Sequence, residues 1–164
     1  MADLLLGIDV GTASTKGVLA RPDGSVIADA RADHAMAIPR PGWAEQDADA
    51  VWWADVVTVA RRLAQAVPSG DAIAGVALSA IGPTLLPLDE SGRPLRPGIL
   101  YGVDTRATAQ IHALEARHGA EALTALSGHA LSSQAVGPKI VWLAEHEPEV
   151  AARTLTLSSA SKAF

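Results

Sequence analysis

Close to its N-terminus the chain reads Leu4-Leu5-Leu6-Gly7-Ile8-Asp9-Val10, a nearly continuous apolar run that Gly11-Thr12-Ala13-Ser14 interrupts and Lys16-Gly17-Val18-Leu19-Ala20 resumes. A short apolar run bounded by a tight polar turn fits a buried strand, and the resumption fits a second one folding back on it. Pro22-Asp23-Gly24-Ser25 is a strong turn signal, and a third short apolar run follows from Val26 to Ala30. Three consecutive strands with short turns make an antiparallel meander. This opening differs from a dinucleotide-binding fold, whose first strand feeds directly into a helix.

The rest of the chain alternates between the two periodicities. Asp47 is placed to cap a helix in which Trp52, Val56, Val59 and Leu63 recur at helical spacing, and Pro68-Ser69-Gly70 ends it. Ala72 to Ala80 and Thr84 to Leu88 read as strands on either side of a Gly-Pro break, and Ile99 to Tyr101 as another short one. A helix is expected from Thr105, with Ala107, Ile111 and Leu114 on one face, ending near Gly119. Two more are expected at Glu121 to Leu126 and at Pro138 to His146, the latter with Pro at its first helical position. Thr154 to Leu157 looks like a strand, and Ser158 to Phe164 carry no stop signal. The whole reads as one mixed α/β domain over residues 1–164.

Composition supports a packed core. Of 164 residues, 49% are hydrophobic and 19% charged, too apolar for a disordered chain and about the size of a single domain. Thirteen Lys and Arg against eighteen Asp and Glu give a net charge of −5, which argues against nucleic acid or an anionic membrane as a partner. Any phosphate it binds must be held locally, by a loop and a few cations. There are no cysteines, so disulfides and thiolate metal sites are excluded. The N-terminal residues lack a basic region, and no apolar run approaches the roughly 20 residues of a spanning helix, so a cytoplasmic protein is expected.

The turn after the first strand is the strongest candidate for chemistry. Gly11 lets backbone approach an anion, successive amides form a nest, and Thr12 and Ser14 offer hydroxyls. Asp9, at the strand end, can hold a hydrated Mg²⁺ facing phosphates, and Lys16 adds a cation. The same residues also describe an ordinary hairpin whose Asp and Thr cap the turn. The turn is neither a Walker loop nor a dinucleotide fingerprint, because both need glycine spacings that are absent.

Five stretches carry a resemblance. They are Gly7-Ile8-Asp9-Val10-Gly11-Thr12 with Lys16; Pro41-Gly42-Trp43-Ala44-Glu45-Gln46-Asp47 followed by Trp52-Trp53; Gly75-Val76-Ala77-Leu78-Ser79 with Gly82 and Thr84; Pro97-Gly98-Ile99-Leu100-Tyr101 with Asp104-Thr105-Arg106; and Gly137-Pro138-Lys139-Ile140-Val141-Trp142-Leu143. In this order they resemble the N-terminal domain of the FGGY family of carbohydrate kinases, xylulose kinases most of all. The resemblance implies a ribonuclease H-like, actin-like ATPase fold whose mixed sheet opens with the three-stranded meander and carries helices on its faces. It implies transfer of the γ-phosphate of ATP, with Mg²⁺, to a hydroxyl of a sugar such as a pentulose, or of a polyol.

By the same resemblance Asp9 orients Mg²⁺ or the transferring phosphate, and Gly11, Thr12, Ser14, Thr15 and Lys16 lie along the phosphates. Asp104 receives sugar hydroxyls while Arg106 fixes its loop. Family members are roughly three times as long. The general base, the adenine pocket and the second phosphate loop are therefore expected downstream, in a second domain, and this stretch alone is expected to be inactive; the full-length protein is a possible homodimer. A truncated non-catalytic domain and an actin-like binding module are the alternatives.

The chain departs from its relatives' pattern where xylulose kinases carry Met-His and glycerol kinases Arg-Glu. Here those positions are Ala80-Ile81 and Ile81-Gly82, with no hydrogen-bonding side chain. Trp43, Trp52 and Trp53 are expected to pin the loop and first helix onto the sheet, and Trp142 to be core. The five histidines are expected to be structural or solvated, and Lys139 to be solvated.

Overall fold

The computed structural model describes residues 2–160. The meander is formed by β1 (Asp3–Val10), β2 (Ser14–Ala20) and β3 (Val26–Asp33), all antiparallel. After β4 (Glu45–Gln46), a π-helical turn (Ala48–Trp53) runs into α1 (Ala54–Gln65), and the chain returns through β5 (Ala72–Ala80) parallel to β1. The sheet order is β3-β2-β1-β5. The crossover through α1 therefore carries the chain from β3 at one edge to β5 at the other, where β5 lies parallel to its neighbour β1, which makes the sheet mixed, as expected.

β1 alternates strictly, with Leu4, Leu6, Ile8 and Val10 buried and Asp3, Leu5 and Asp9 on the other face. The buried face meets α1 through Val56, Val59 and Leu63, which recur at helical spacing and close the main core together with Leu19 and Trp52. Two-residue periodicity on one side and helical periodicity on the other thus find each other. Gly17 is what lets them approach: a Cβ there would lie 2.5 Å from Val59 Cγ1 and 2.8 Å from Leu63 Cδ1.

The remaining elements are β6 (Leu86–Leu88), β7 (Gly98–Ile99), α2 (Thr108–His118), α3 (Ala120–Ser127), α4 (Val136–His146), α5 (Pro148–Arg153) and β8 (Thr156–Ser158). They surround a second, smaller core of Leu85, Ile99, Ala107, Trp142 and Leu143. Among the described residues, α1 is the helix that packs on the sheet, while α2 and α4 pack on each other. No helix among them is long and apolar enough to cross a membrane.

Local readings are corrected in four places. Asp47 does cap as expected, accepting from the Asp49 and Ala50 amides, but what it caps is the π-helical turn. The helix expected from Thr105 starts at Thr108, because Asp104 and Thr105 are held by the loop around Gly42. Pro138 is the third residue of α4 rather than its first. Trp53 is 52% exposed while Trp52 is fully buried, so one of that pair anchors the helix. Of the last stretch read from the sequence, residues 161–164 lie outside the described residues.

Candidate functional site

The turn between β1 and β2 lies at the C-terminal end of β1, and the Ile81 amide donates to the Val10 carbonyl at 2.8 Å. That bond brings the loop after β5 beside the turn, so two parallel strands open onto one place, the usual position of a ligand in an α/β sheet. Asp9 is paired in register with Lys16 on one side and with Ser79 on the other, all three on the uncovered face of the sheet. Neither the Asp9 carboxylate nor the Lys16 ammonium has a hydrogen-bond or ion-pair partner among the described residues.

The backbone of the turn is fixed from behind. The Ser14 carbonyl accepts from the Gly11 amide at 2.9 Å, and the Ala13 carbonyl from the His34 amide at 3.1 Å. The Thr12 carbonyl accepts from Gln46 Nε2 at 2.9 Å, and the Gly11 carbonyl bonds to His34 Nε2 at 3.0 Å. In a trans peptide the N–H points opposite to the preceding C=O. Carbonyls tied inward at Gly11 and Thr12 therefore turn the Thr12 and Ala13 amides outward, and those two find no acceptor among the described residues. Two outward amides, a free carboxylate and a free ammonium are the kinds of group that can hold an anion and its counter-ion.

Gln46 holds this geometry because its other end is also satisfied: Oε1 accepts from Trp52 Nε1 at 2.7 Å. The sequence reading missed both Gln46 and His34. The motif around Glu45-Gln46-Asp47 marked the first as special without saying to what it bonds. No signal marked His34, whose partners Asp55 and Gly11 are 21 and 23 residues away.

Of the residues expected along the phosphates, Gly11, Thr12 and Lys16 lie at the turn surface and Ser14 is 6% exposed. Thr15 is fully buried opposite Val10, on the face covered by α1, and its hydroxyl has no partner. Its side chain therefore faces the core and not an anion at the turn. For Mg²⁺, the donor set is Asp9 alone, and no cluster of three acidic or histidine side chains occurs among the described residues. One unpaired carboxylate fits a hydrated cation that shares its remaining ligands with phosphate and water.

Asp104 and Arg106 are brought together, but they face inward. Both side chains are fully buried. Arg106 grips Asp104 in bidentate fashion, Nε to Oδ1 at 2.9 Å and Nη2 to Oδ2 at 2.7 Å. The same carboxylate accepts from the Ala44 amide at 2.6 Å and from the Arg106 amide at 3.1 Å. No surface is left on it for a sugar hydroxyl, so the geometry gives Asp104 the task of tying its loop to the Trp43–Gln46 segment. The expected role of Arg106 in fixing the loop agrees with its placement.

Around this pair lies a buried ionic and aromatic cluster. Arg106 Nη1 is 2.8 Å from Glu45 Oε1, although not aligned for a hydrogen bond. Glu45 also pairs with Arg96, which reaches Glu147 at 2.9 Å. The Arg106 guanidinium sits 4.1 Å from the Trp43 ring centre and 4.9 Å from that of Trp142, and the two rings meet edge to face. Trp43 is thus occupied by Arg106 on the inside and by Arg40 at 4.8 Å. His146 stacks on Trp142. Paired charges and stacked guanidinium groups are how such charge is tolerated away from water.

Lys139 also departs from expectation. It is 1% exposed, with Nζ donating to the Leu100 carbonyl at 2.9 Å and the Ser133 carbonyl at 2.6 Å. Burial pushes its pKa from 10.5 down to about 8, with Asp104 partly opposing this and Arg106 adding to it. Its bonds set the loop that carries Tyr101, whose ring lies over Gly82, 3.5 Å from where a Cβ would be. Ile81, Gly82 and Tyr101 therefore form the ground beside the turn, and of these three side chains Tyr101 has a hydroxyl.

Comparison with known proteins follows the same outline. Residues 4–161 match the family model described as the FGGY family of carbohydrate kinases, N-terminal domain. The chain is 33% identical over 150 residues to a xylulose kinase of Lactococcus lactis, covering 91% of this chain and 29% of that protein. It is 29% identical over 154 residues to a glycerol kinase of Janthinobacterium, covering 93% and 31%. Among solved structures, the xylulose kinase from Rhodospirillum rubrum superposes with a TM-score of 0.92 at 30% identity, covering 98% of this chain and 33% of that one. The chain spans about a third of the length of the relatives it matches.

Proposed function

The chain belongs to the FGGY family of carbohydrate kinases, and from that premise we propose that its Asp9–Lys16 turn holds the phosphates of ATP for transfer of the γ-phosphate to a hydroxyl of a sugar or polyol. The observation that carries the reading is the pair of outward amides at Thr12 and Ala13, flanked by an unpaired carboxylate and an unpaired ammonium. The fold supports the same reading, since the turn opens at the C-terminal ends of parallel strands.

In this proposal the Thr12 and Ala13 amides bind phosphate oxygens, and Lys16 offsets their charge. Asp9 orients a hydrated Mg²⁺ or the transferring group. The metal, when bound, neutralises charge that develops between the phosphates. Asp104 and Arg106 act at one remove, by fixing the loop that presents Tyr101. A pentulose such as xylulose is the first candidate acceptor, because a xylulose kinase is among the relatives of highest identity. Ile81 and Gly82 offer no side-chain hydrogen bond, so the acceptor is recognised by backbone groups, Tyr101 and residues outside this stretch.

Phosphoryl transfer requires a positioned acceptor hydroxyl and charge neutralisation around the transferred group. The site on this chain supplies the phosphate side alone, so we further propose that the 164-residue chain does not turn over by itself. A panel of ketopentoses, ketohexoses and glycerol, read by ADP release, tests both statements. The gene product that contains this chain should release ADP with at least one of them, while the chain alone should release none above background. Sugar-dependent ADP release by the chain alone would contradict the second statement, and no release by the gene product with any acceptor would contradict the first.

A further inference from the structure

The most constrained side chain near the turn is one that the sequence left without a role. His34 has a side chain that is 6% exposed, with Nδ1 2.7 Å from Asp55 Oδ2 and Nε2 3.0 Å from the Gly11 carbonyl. A carbonyl oxygen can only accept, so Nε2 carries a proton. Asp55 Oδ2, on α1, meets the other ring nitrogen, so the ring is held between the helix and the turn.

This ring is joined to the anion site by its bond to Gly11. Its own backbone amide holds the next part of the turn, at the Ala13 carbonyl. The side chain therefore sets the peptide plane that turns the Thr12 amide outward, while Asp55 sets the ring.

Building on the reading of this turn as a phosphate site, we propose that His34 is a positioning residue for it: a ring, anchored on α1 by Asp55, whose Nε2–H holds the Gly11 carbonyl inward and so aims the Thr12 amide at the phosphate. Asp55 and His34 together transmit the position of α1 to the turn.

The test is nuclear magnetic resonance on the ¹⁵N-labelled chain, together with ADP binding by the gene product that contains it. Nε2 of His34 should resonate as a protonated, hydrogen-bonded nitrogen; an unprotonated Nε2 would overturn the bond to Gly11. His34→Leu should move the ligand-free Thr12 and Ala13 amide signals and weaken ADP binding by about threefold or more, the worth of one hydrogen bond. His34→Gln, whose amide can still donate to the Gly11 carbonyl, should restore most of the loss, and Asp55→Asn should give an intermediate defect. If folded His34→Leu leaves the turn amides and the ADP response unchanged, the proposal is wrong. If His34→Leu does not fold, Gln and Asn variants that both behave as the parent overturn it equally. Failure of the parent gene product to bind ADP would remove the phosphate reading instead, while the ring nitrogen and ligand-free amide signals of the chain still decide whether His34 holds the turn.

Discussion

At Arg106 a single guanidinium answers to Asp104, Glu45 and two tryptophans, with no part of its side chain in water. Replacing it with Met leaves two carboxylates buried with reduced compensation, and breaking such a pair from one side costs about 3–5 kcal/mol. Denaturant unfolding of Arg106→Met should show a loss of that order, and adding Asp104→Asn should recover part of it; additive losses would mean that the two side chains are uncoupled. Lys139 offers a second test. Its depressed pKa means that between pH 8 and 10.5 the unfolded chain retains a proton that the folded chain has released. Stability should therefore gain a rising component with pH across that window, and the component should vanish in Lys139→Met when the two pH profiles are compared. The family resemblance marked Asp104 and Arg106 as a pair, but not which way the carboxylate faces. That is decided by the Ala44 amide, 60 residues away, and the burial of Lys139 is likewise decided by carbonyls at Leu100 and Ser133.

Elements were more legible than their contacts, because period and turn chemistry are local while packing is not. The alternation of β1 and the helical recurrence of Val56, Val59 and Leu63 name the two surfaces that meet in the core. Neither pattern shows that they meet over Gly17. A methyl group at that position would press on Val59, a β-branched side chain whose rotamer is stiff in a helix, and on Leu63. Gly17→Ala should lower stability by about 1–3 kcal/mol, an overpacking penalty that shifts the thermal midpoint down by several degrees. An unchanged midpoint would show that α1 can retreat from β2 without cost. The short strands β4 and β7 were hardest to read, since two residues carry no period, and the burial of Glu45 and Gln46 depends on partners elsewhere in the chain.

On the scale of the molecule, the motif stretches spread along the sequence converge. The turn after β1 is held by Gln46, the Gln46 segment by Asp104 and Arg106, and the Tyr101 loop by Lys139 of α4. The main core and the smaller one are thereby linked through polar ties that end at the turn after β1. The position of that turn was legible from Gly11 and the polar residues beside it, whereas the devices that fix it, His34 and Gln46, were not, since each acts across the fold. The central claim is that Asp9 and this turn handle the phosphates in sugar phosphorylation. The measurement that tests it most directly is sugar-dependent ADP release by the gene product containing this chain, parent against Asp9→Ala, with the thermal midpoint recorded for both. Turnover should fall by well over about tenfold, more than 1.4 kcal/mol of barrier, at an unchanged midpoint; turnover within tenfold of the parent at the same midpoint would contradict the account.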